Sequence, residues 1–166
     1  LLKEALDLAS RGLDAKDPAN RALAVTGNNL AATFEEKESR TADENEFMLL
    51  CARTARKYWE LAGTKSHILS SESRLAMSHL KAGMPERARC HAQTCLEICQ
   101  EITAEPWDFF YGYEALALAE KNLGNELGFQ TAASQAEKYF HLIPKEHQHW
   151  YAKSMKQLKS IISASV

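Results

Sequence analysis

The sequence predicts an all-α fold, a right-handed superhelix of antiparallel helix hairpins with about eight helices and no strands. Three observations predict this class. Ala, Leu, Glu, Lys and Gln dominate the composition, and these are good helix formers. Apolar residues recur three and four positions apart, and no segment alternates with a period of two between turns. Residues of matching type also recur at intervals of 40 to 41 positions, which indicates an internal repeat.

The helix boundaries follow from the helix-breaking residues. Pro18, Pro85 and Pro106 each stand where a helix can begin. Gly83 and Gly124, which are 41 residues apart, stand where helices end. These signals predict eight helices, at 1–13, 18–37, 43–62, 65–82, 85–102, 106–123, 126–142 and 146–163. The connections between them are short, so consecutive helices are expected to be antiparallel neighbours.

Seven columns of matching residues align three helix pairs. The columns in the second helices are Ala52/Ala92/Ala133, Ala55/Cys95/Ala136, Tyr58/Ile98/Tyr139 and Trp59/Cys99/Phe140. Those in the first helices are Leu23/Ile68/Phe109, Leu30/Leu75/Leu116 and Ala31/Ala76/Ala117. Small residues allow two helices to approach closely, and the large residues one turn on fill the remaining space. Stacked hairpins bury such stripes in one continuous core, which a single hairpin cannot do. An unrelated helical bundle is the alternative.

These columns resemble the tetratricopeptide repeat family. The second pair matches best, at Leu75-Ala76, Gly83, Ala88, Ala92 and Cys95-Leu96. The first pair matches at Leu30-Ala31, Phe34, Ala52 and Ala55, and the third at Leu116-Ala117, Gly124, Ala133 and Ala136. The usual repeat of the family has 34 residues, whereas this one has 40 to 41, so its helices are about one turn longer.

The resemblance implies a single tetratricopeptide-like domain over residues 1–166. Its parts are the second helix of a preceding repeat at 1–13, repeats at 18–62, 65–102 and 106–142, and a capping helix at 146–163. Since the chain begins with Leu1 rather than Met, we expect it to be part of a longer protein. The capping helix carries an apolar stripe at Met155, Leu158, Ile161 and Ile162. If that stripe were two-sided, the helix would instead form a homodimer surface.

Composition and charge exclude several classes of protein. Apolar residues make up 45% and charged residues 25%, which is typical of a folded globular chain. The net charge of -2 leaves no basic footprint for nucleic acid. No apolar run reaches the roughly 20 residues that span a membrane. Four cysteines are expected to pack in the core as free thiols, which favours a reducing, cytoplasmic compartment. They are Cys51, Cys90, Cys95 and Cys99.

No catalytic signature appears in the sequence. The zinc-protease, nucleophile-elbow and phosphate-loop motifs are all absent, so we predict no enzyme activity and no cofactor. The paired acids Glu35 and Glu36 lie in the most polar stretch and are expected in an exposed turn.

The histidines raise the question of a metal site. The candidate ligands are His91 with Cys95, and the group His141, His147 and His149. Zinc needs three or four ligands that converge on one point, and these spacings do not supply them. We therefore expect solvated or capping histidines and no metal. His79 falls in the column of Phe34 and is expected to be packed.

The resemblance places the binding surface on the first helices, which line the concave face in this family. By the alignment, the residues on that face are Asn28, Ala32, Arg74, Met77, Lys81, Tyr111, Leu118, Lys121 and Asn122. Arg74 and Lys81 are expected to pair with acidic side chains or a terminal carboxylate of a partner. Met77 and Tyr111 would supply adaptable apolar contacts. The Lys/Asn arrangement by which some members clamp a terminal carboxylate is not reproduced.

These observations predict an interaction scaffold that binds a peptide or a partner protein in its concave groove. The alternative is a regulatory or ligand-sensing domain of a larger signalling or transcription-regulating protein. The tryptophans are given structural roles: Trp59 fills space in its column, Trp107 packs on the preceding hairpin, and Trp150 belongs to the final helix.

Overall fold

The computed structural model describes residues 1–164 of the chain. These residues contain nine α-helices. They are α1 (Leu2–Ser10), α2 (Pro18–Glu35), α3 (Ala42–Ala62), α4 (Lys65–Lys81), α5 (Pro85–Glu101), α6 (Pro106–Asn122), α7 (Glu126–Leu142), α8 (Lys145–Gln148) and α9 (Ala152–Ala164). No strand occurs among these residues, which confirms the predicted all-α class. Pro18, Pro85 and Pro106 open α2, α5 and α6, because the first position of a helix needs no amide hydrogen.

The predicted final helix is two helices. Instead of one helix over 146–163, α8 and α9 are separated by a turn at 149–151. The amides of Trp150 and Tyr151 bond to carbonyls three residues earlier, at 3.1 and 3.0 Å, as in a tight turn. The side chain of Gln148 donates to a carbonyl just after α7 at 2.9 Å and anchors the turn. The helix predicted over 146–163 is therefore two helices, which makes nine in the described residues where about eight were predicted.

Two of the hairpin turns have the same geometry. Gly83 follows α4 with a φ of 73°, and Gly124 follows α6 with a φ of 74°. In each turn the amide of the residue after the glycine donates a hydrogen bond to a carbonyl oxygen in the last turn of the helix. Met84 donates to His79 and Asn125 donates to Glu120, both at 2.9 Å. This is the Schellman arrangement, which uses a left-handed residue that is usually glycine. The predicted helix ends at Gly83 and Gly124 are thereby confirmed.

The helices pack as successive hairpins. α2 packs on α3, α4 on α5 and α6 on α7, while α3 meets α4 and α5 meets α6 between hairpins. The first helices also contact one another in turn, α2 with α4 and α4 with α6. The small residues of the second helices lie in the core: Ala52, Ala55, Ala92, Cys95, Ala133 and Ala136 are all 0 to 1% exposed. This packing is consistent with a helical solenoid or bundle, and the right-handed superhelical twist stays a prediction.

α2 and α3 approach each other closely at Gly27. A Cβ atom added there would lie 2.6 Å from the carbonyl oxygen of Cys51 and 2.9 Å from the amide nitrogen of Ala55. Both are backbone atoms of α3, so the crossing leaves no space for a side chain. Gly27 stands one helical turn before Ala31 of the small-residue column, on the same buried face.

A single arginine connects the longest hairpin loop to its neighbours. Arg40, in the segment 36–41 between α2 and α3, donates to the carbonyl oxygens of Phe34 at 3.0 Å and Lys37 at 2.8 Å. It also donates to the carbonyl oxygen of Lys81, the last residue of α4, at 3.1 Å. Carbonyls at a helix end lack partners within the helix, and cationic side chains commonly satisfy them. Arg40 thus joins the C-terminal ends of α2 and α4.

α9 covers the end of the third hairpin. Met155 and Leu158 are 3% and 1% exposed, and Ile161 and Ile162 pack against buried residues of α6 and α7. The described part of the stripe therefore packs against α6 and α7, as a capping helix would, and the homodimer alternative stays a prediction. Trp150, which the sequence placed in the final helix, lies in the turn before α9 and is 72% exposed.

Candidate binding groove

A cavity of about 370 Å³ lies on the face formed by α2, α4 and α6. We call it the groove, and its lining residues are Asn28, Leu69, Ser70, Ser73, Arg74, Met77, Trp107, Asp108 and Tyr111. Four of the residues predicted for partner binding are among them: Asn28, Arg74, Met77 and Tyr111. They come from three different hairpins, and the contacts of α4 with both α2 and α6 bring them together.

Five other residues that the sequence placed on this face do not line the groove: Ala32, Lys81, Leu118, Lys121 and Asn122. Lys81 is exposed at the last position of α4. Lys121 forms an ion pair with Glu126 across the α6–α7 turn, at 2.9 Å. Asn122 donates to the carbonyl oxygen of Leu118 within α6, at 2.7 Å. The alignment placed them correctly on the first helices, but the ends of these helices extend beyond the cavity.

The Arg74 side chain is already paired within the chain. Its guanidinium forms an ion pair with Glu35, whose other carboxylate oxygen accepts from Ser78 at 2.5 Å. Its Nε donates to the side-chain oxygen of Asn28 at 3.4 Å. Burial raises the pKa of Glu35, while Arg74 and Ser78 oppose that rise. The positive charge expected to meet an acidic partner is therefore neutralised inside the protein.

The expectation that Glu35 lies in an exposed turn is wrong. Glu35 is 7% exposed, while Glu36 beside it is exposed. The reason is helical geometry: α2 continues through Glu35, four residues after the buried Ala31, so both side chains lie on the inner face. That spacing was visible in the sequence, but the charged residues around Glu35 favoured an exposed turn.

Aromatic side chains form the end of the groove at α6. Trp107 and Tyr111 are one turn apart on this helix, and Tyr111 is 39% exposed. The ring of Tyr151 lies 5.2 Å from that of Tyr111, so the segment before α9 supports this end. Burial, with smaller contributions from Tyr151 and Glu114, raises the pKa of Tyr111 to about 12. The phenol is therefore a neutral hydrogen-bonding group at physiological pH.

Trp107 packs differently from the prediction. It was expected on the preceding hairpin, but it packs against a buried cluster that includes Phe110 and Ile143. Its ring also meets His147 of α8 edge-on, with centroids 6.1 Å apart. Trp107 is thus held mainly by the C-terminal segment. Trp59 is 7% exposed in the core, which confirms its predicted space-filling role.

Asp108, which the sequence did not single out, lies between the two aromatic residues of the groove in the first turn of α6. One of its carboxylate oxygens accepts from the amide of Glu105 at 3.1 Å, as part of a capping box. Burial raises its pKa, and the nearby carboxylate of Glu105 adds to the rise. Within residues 1–164 no basic side chain forms an ion pair with it. Its position beside Pro106 and Trp107 suggested only a helix start.

A second unpredicted acid lies behind the groove. Glu114 of α6 is 4% exposed, and the hydroxyl of Ser154 of α9 donates a hydrogen bond to it. Burial raises its pKa to about 7, against weaker opposing effects of Ser154 and Lys81. No local pattern indicated this burial, because the partner Ser154 lies on α9, which is distant along the chain.

Glu114→Gln is expected to raise the free energy of unfolding by about 2 kcal/mol at pH 8. The pKa of Glu114 is raised from 4.5 to about 7, so the unfolded chain loses this proton first. Folding is therefore increasingly disfavoured as pH rises from 4.5 to 7, and the full cost applies above pH 7. A glutamine resembles the protonated acid and avoids this cost, although its amide must still be buried.

Urea unfolding at pH 4.5 and pH 8 tests this prediction. The gain should be present at pH 8 and nearly absent at pH 4.5, where the folded chain is protonated at Glu114 and the unfolded chain has lost only about half of this proton. Glu36→Gln, at an exposed position, is the control and should change little at either pH. An equal gain at both pH values would contradict the prediction.

The remaining polar clusters are structural. His79 is 2% exposed, bonds to the carbonyl oxygen of Leu75 at 2.8 Å and stacks on His91, which confirms the predicted packed histidine. His91 in turn lies 2.7 Å from a carboxylate oxygen of Glu72. Burial disfavours the charge of Glu72, but hydrogen bonds from His91 and Arg56 outweigh it and lower its pKa. This network joins α3, α4 and α5.

Three of the four cysteines lie in the core, as predicted. Cys51, Cys95 and Cys99 are buried, whereas Cys90 is exposed and the prediction is wrong for it. Cys90 precedes the buried Ala92 by two residues and therefore points to another side of α5. Among the described residues no group of three or more His, Cys, Asp or Glu side chains is placed to hold a metal ion. No helix within residues 1–164 has the length and apolarity to cross a membrane.

Comparison with known proteins leaves the groove as the main guide to function. No protein-family model, no curated protein and no solved structure matches the chain.

Proposed function

We propose that the chain is a tetratricopeptide-like interaction module that binds an extended segment of a partner protein in the groove. One observation carries the proposal: a single cavity gathers predicted binding residues from three successive first helices. We also propose that it acts in a reducing, cytoplasmic compartment, which suits its free cysteines.

The size and lining of the groove support peptide binding. Its volume of about 370 Å³ is within the range of ligand sites in proteins. Met77, Trp107 and Tyr111 offer apolar surface, which is where binding energy concentrates in interfaces. Ser70 and Ser73 offer hydroxyls that can bond to a peptide backbone. The lining has no histidine or lysine that would act as a general base for these hydroxyls, which favours binding over catalysis.

Met77→Glu is expected to weaken peptide binding by roughly tenfold or more. Met77 is half-buried in the groove, so a carboxylate there removes apolar contact and must be desolvated when a peptide binds. The probes are peptides selected from a random displayed library against the whole chain. Their dissociation constants are measured by fluorescence anisotropy.

Met84→Glu is the matched control. Met84 is 39% exposed at the α4–α5 turn and does not line the groove, so this variant should bind within about twofold of the parent. Thermal unfolding verifies that both variants are folded. Selected peptides that bind Met77→Glu as tightly as the parent, or a library that yields no binder, would overturn the proposed function.

A further inference from the structure

The charges around the groove do not match the acidic partner that its arginine first suggests. Arg74 is paired with Glu35, and together they add no net charge. Lys81 is outside the cavity and acts electrostatically on the acids Glu35 and Glu114. The remaining formal charge in the lining is the carboxylate of Asp108.

The carboxylate of Asp108 has no cationic partner among the described residues. One oxygen accepts from the Glu105 amide, and no hydrogen bond or ion pair reaches the other oxygen from the described part of the chain. The side chain is partly buried, so water screens it less than a surface carboxylate. Trp107 and Tyr111 line the same cavity on either side of it in sequence. A half-buried anion that lines a cavity together with two aromatic rings is the complement of a cation.

We propose that the groove selects peptides that carry a lysine or arginine side chain, whose cationic group pairs with Asp108 beside Trp107 and Tyr111. This proposal rests on the proposed function and names the chemistry of the occupant. It reverses the charge expected from the sequence, because Arg74 is already neutralised.

The physical basis is a sum of two attractions. An ammonium or guanidinium group donates charge-assisted hydrogen bonds to a carboxylate, and these are about twice as strong as neutral ones. A cation within about 6 Å of a tryptophan or tyrosine ring gains a further cation–π attraction. The aliphatic part of a lysine or arginine would cover the apolar surface of Met77 and Trp107 at the same time. An acidic side chain at this position would meet a like charge instead.

Asp108→Asn tests the proposal on the peptides selected with the parent chain. The substitution removes the charge but keeps an oxygen that can accept from the Glu105 amide, so the capping box is retained. We expect selected peptides to share a lysine or arginine at one position, and a Lys→Met change there to weaken binding to the parent roughly tenfold. Against Asp108→Asn most of this difference should disappear, because only the cation–π attraction to Trp107 and Tyr111 remains. Higher salt should weaken only the binding of the lysine peptide to the parent chain.

Asp43→Asn is the matched control, since Asp43 is an exposed acid in the first turn of α3 and lies outside the groove. It should keep the full preference for lysine. Peptides that depend on Met77 but share no basic position would overturn this inference while the proposed function stands. A lysine preference that is as large in Asp108→Asn as in the parent would do the same. Peptides that are insensitive to Met77→Glu would overturn the proposed function itself, and this inference with it.

Discussion

Replacing Gly27 with alanine is expected to lower the free energy of unfolding by about 4 kcal/mol, although alanine is the better helix former by about 1 kcal/mol. The new Cβ atom would lie 2.6 Å from the carbonyl oxygen of Cys51 and 2.9 Å from the amide of Ala55. Neither atom can move alone, because both belong to the backbone of α3. Relief therefore requires α2 and α3 to separate, which opens space in the close-packed core of the first hairpin.

Gly112→Ala is the informative comparison for this experiment. A Cβ at Gly112 would lie 2.7 Å from a methyl carbon of Leu96, which is the end of a side chain that can rotate. We expect a cost of about 1 kcal/mol there. Urea unfolding of both variants measures the difference. If Gly27→Ala were as stable as the parent, the close approach of α2 to α3 would be wrong.

Replacing Arg74 with methionine is expected to lower the free energy of unfolding by about 3 kcal/mol at pH 8. Methionine keeps much of the apolar volume of the side chain but leaves the buried Glu35 without its cationic partner. The double variant Arg74→Met, Glu35→Gln should recover most of this loss, because no unpaired charge stays buried. Equal stability of the single and double variants would contradict the pairing.

The loss in Arg74→Met should depend on pH. The pKa of Glu35 is already raised above its ordinary value of 4.5 by burial, and Arg74 opposes that rise. Without Arg74 the pKa rises further, so the folded chain retains a proton that the unfolded chain releases. The cost is absent near pH 4.5 and grows as pH rises. Urea unfolding at pH 4.5, 6 and 8 checks this, and a cost that is the same at all three would exclude the mechanism.

This coupling also determines how the groove can be tested. An Arg74→Glu reversal would place a second carboxylate against Glu35 and destabilise the fold. Loss of binding in that variant would not report on a partner. Met77 and Asp108 are therefore the better positions for substitution, since neither forms an ion pair within the described chain.

Local signals predicted the elements of the fold, and distant contacts decided the features that were missed. Pro18 and Gly83 act through the backbone of their own segment, so their effect could be read from a few neighbouring residues. Burial of Glu35 depends on Arg74, which lies 39 positions away, and on Ser78, 43 positions away. No local sequence pattern indicates a contact between residues so far apart. The charged residues around Glu35 also favour an exposed position over a buried one.

The sequence predicted only part of the lining of the groove. Alignment of the helix pairs placed Asn28, Arg74, Met77 and Tyr111 on one face, and these four residues line one cavity. It did not find Asp108, since an acid in the first turn of a helix is expected as a cap whether or not it lines a cavity. The break between α8 and α9 was also missed, because residues 145–151 contain no glycine or proline that would indicate the end of a helix.

The position of Arg40 has a consequence for how the molecule opens. In stacked hairpins, stability is close to a sum of terms within each unit and between neighbours. Arg40 adds to the term between the first two units, since it bonds to the carbonyl ends of both α2 and α4. Local unfolding of either hairpin must therefore break the hydrogen bonds of Arg40 to Phe34 and Lys81. We expect amide hydrogens of the first two hairpins to exchange with solvent as one cooperative unit, while α1, which contacts α2, exchanges earlier.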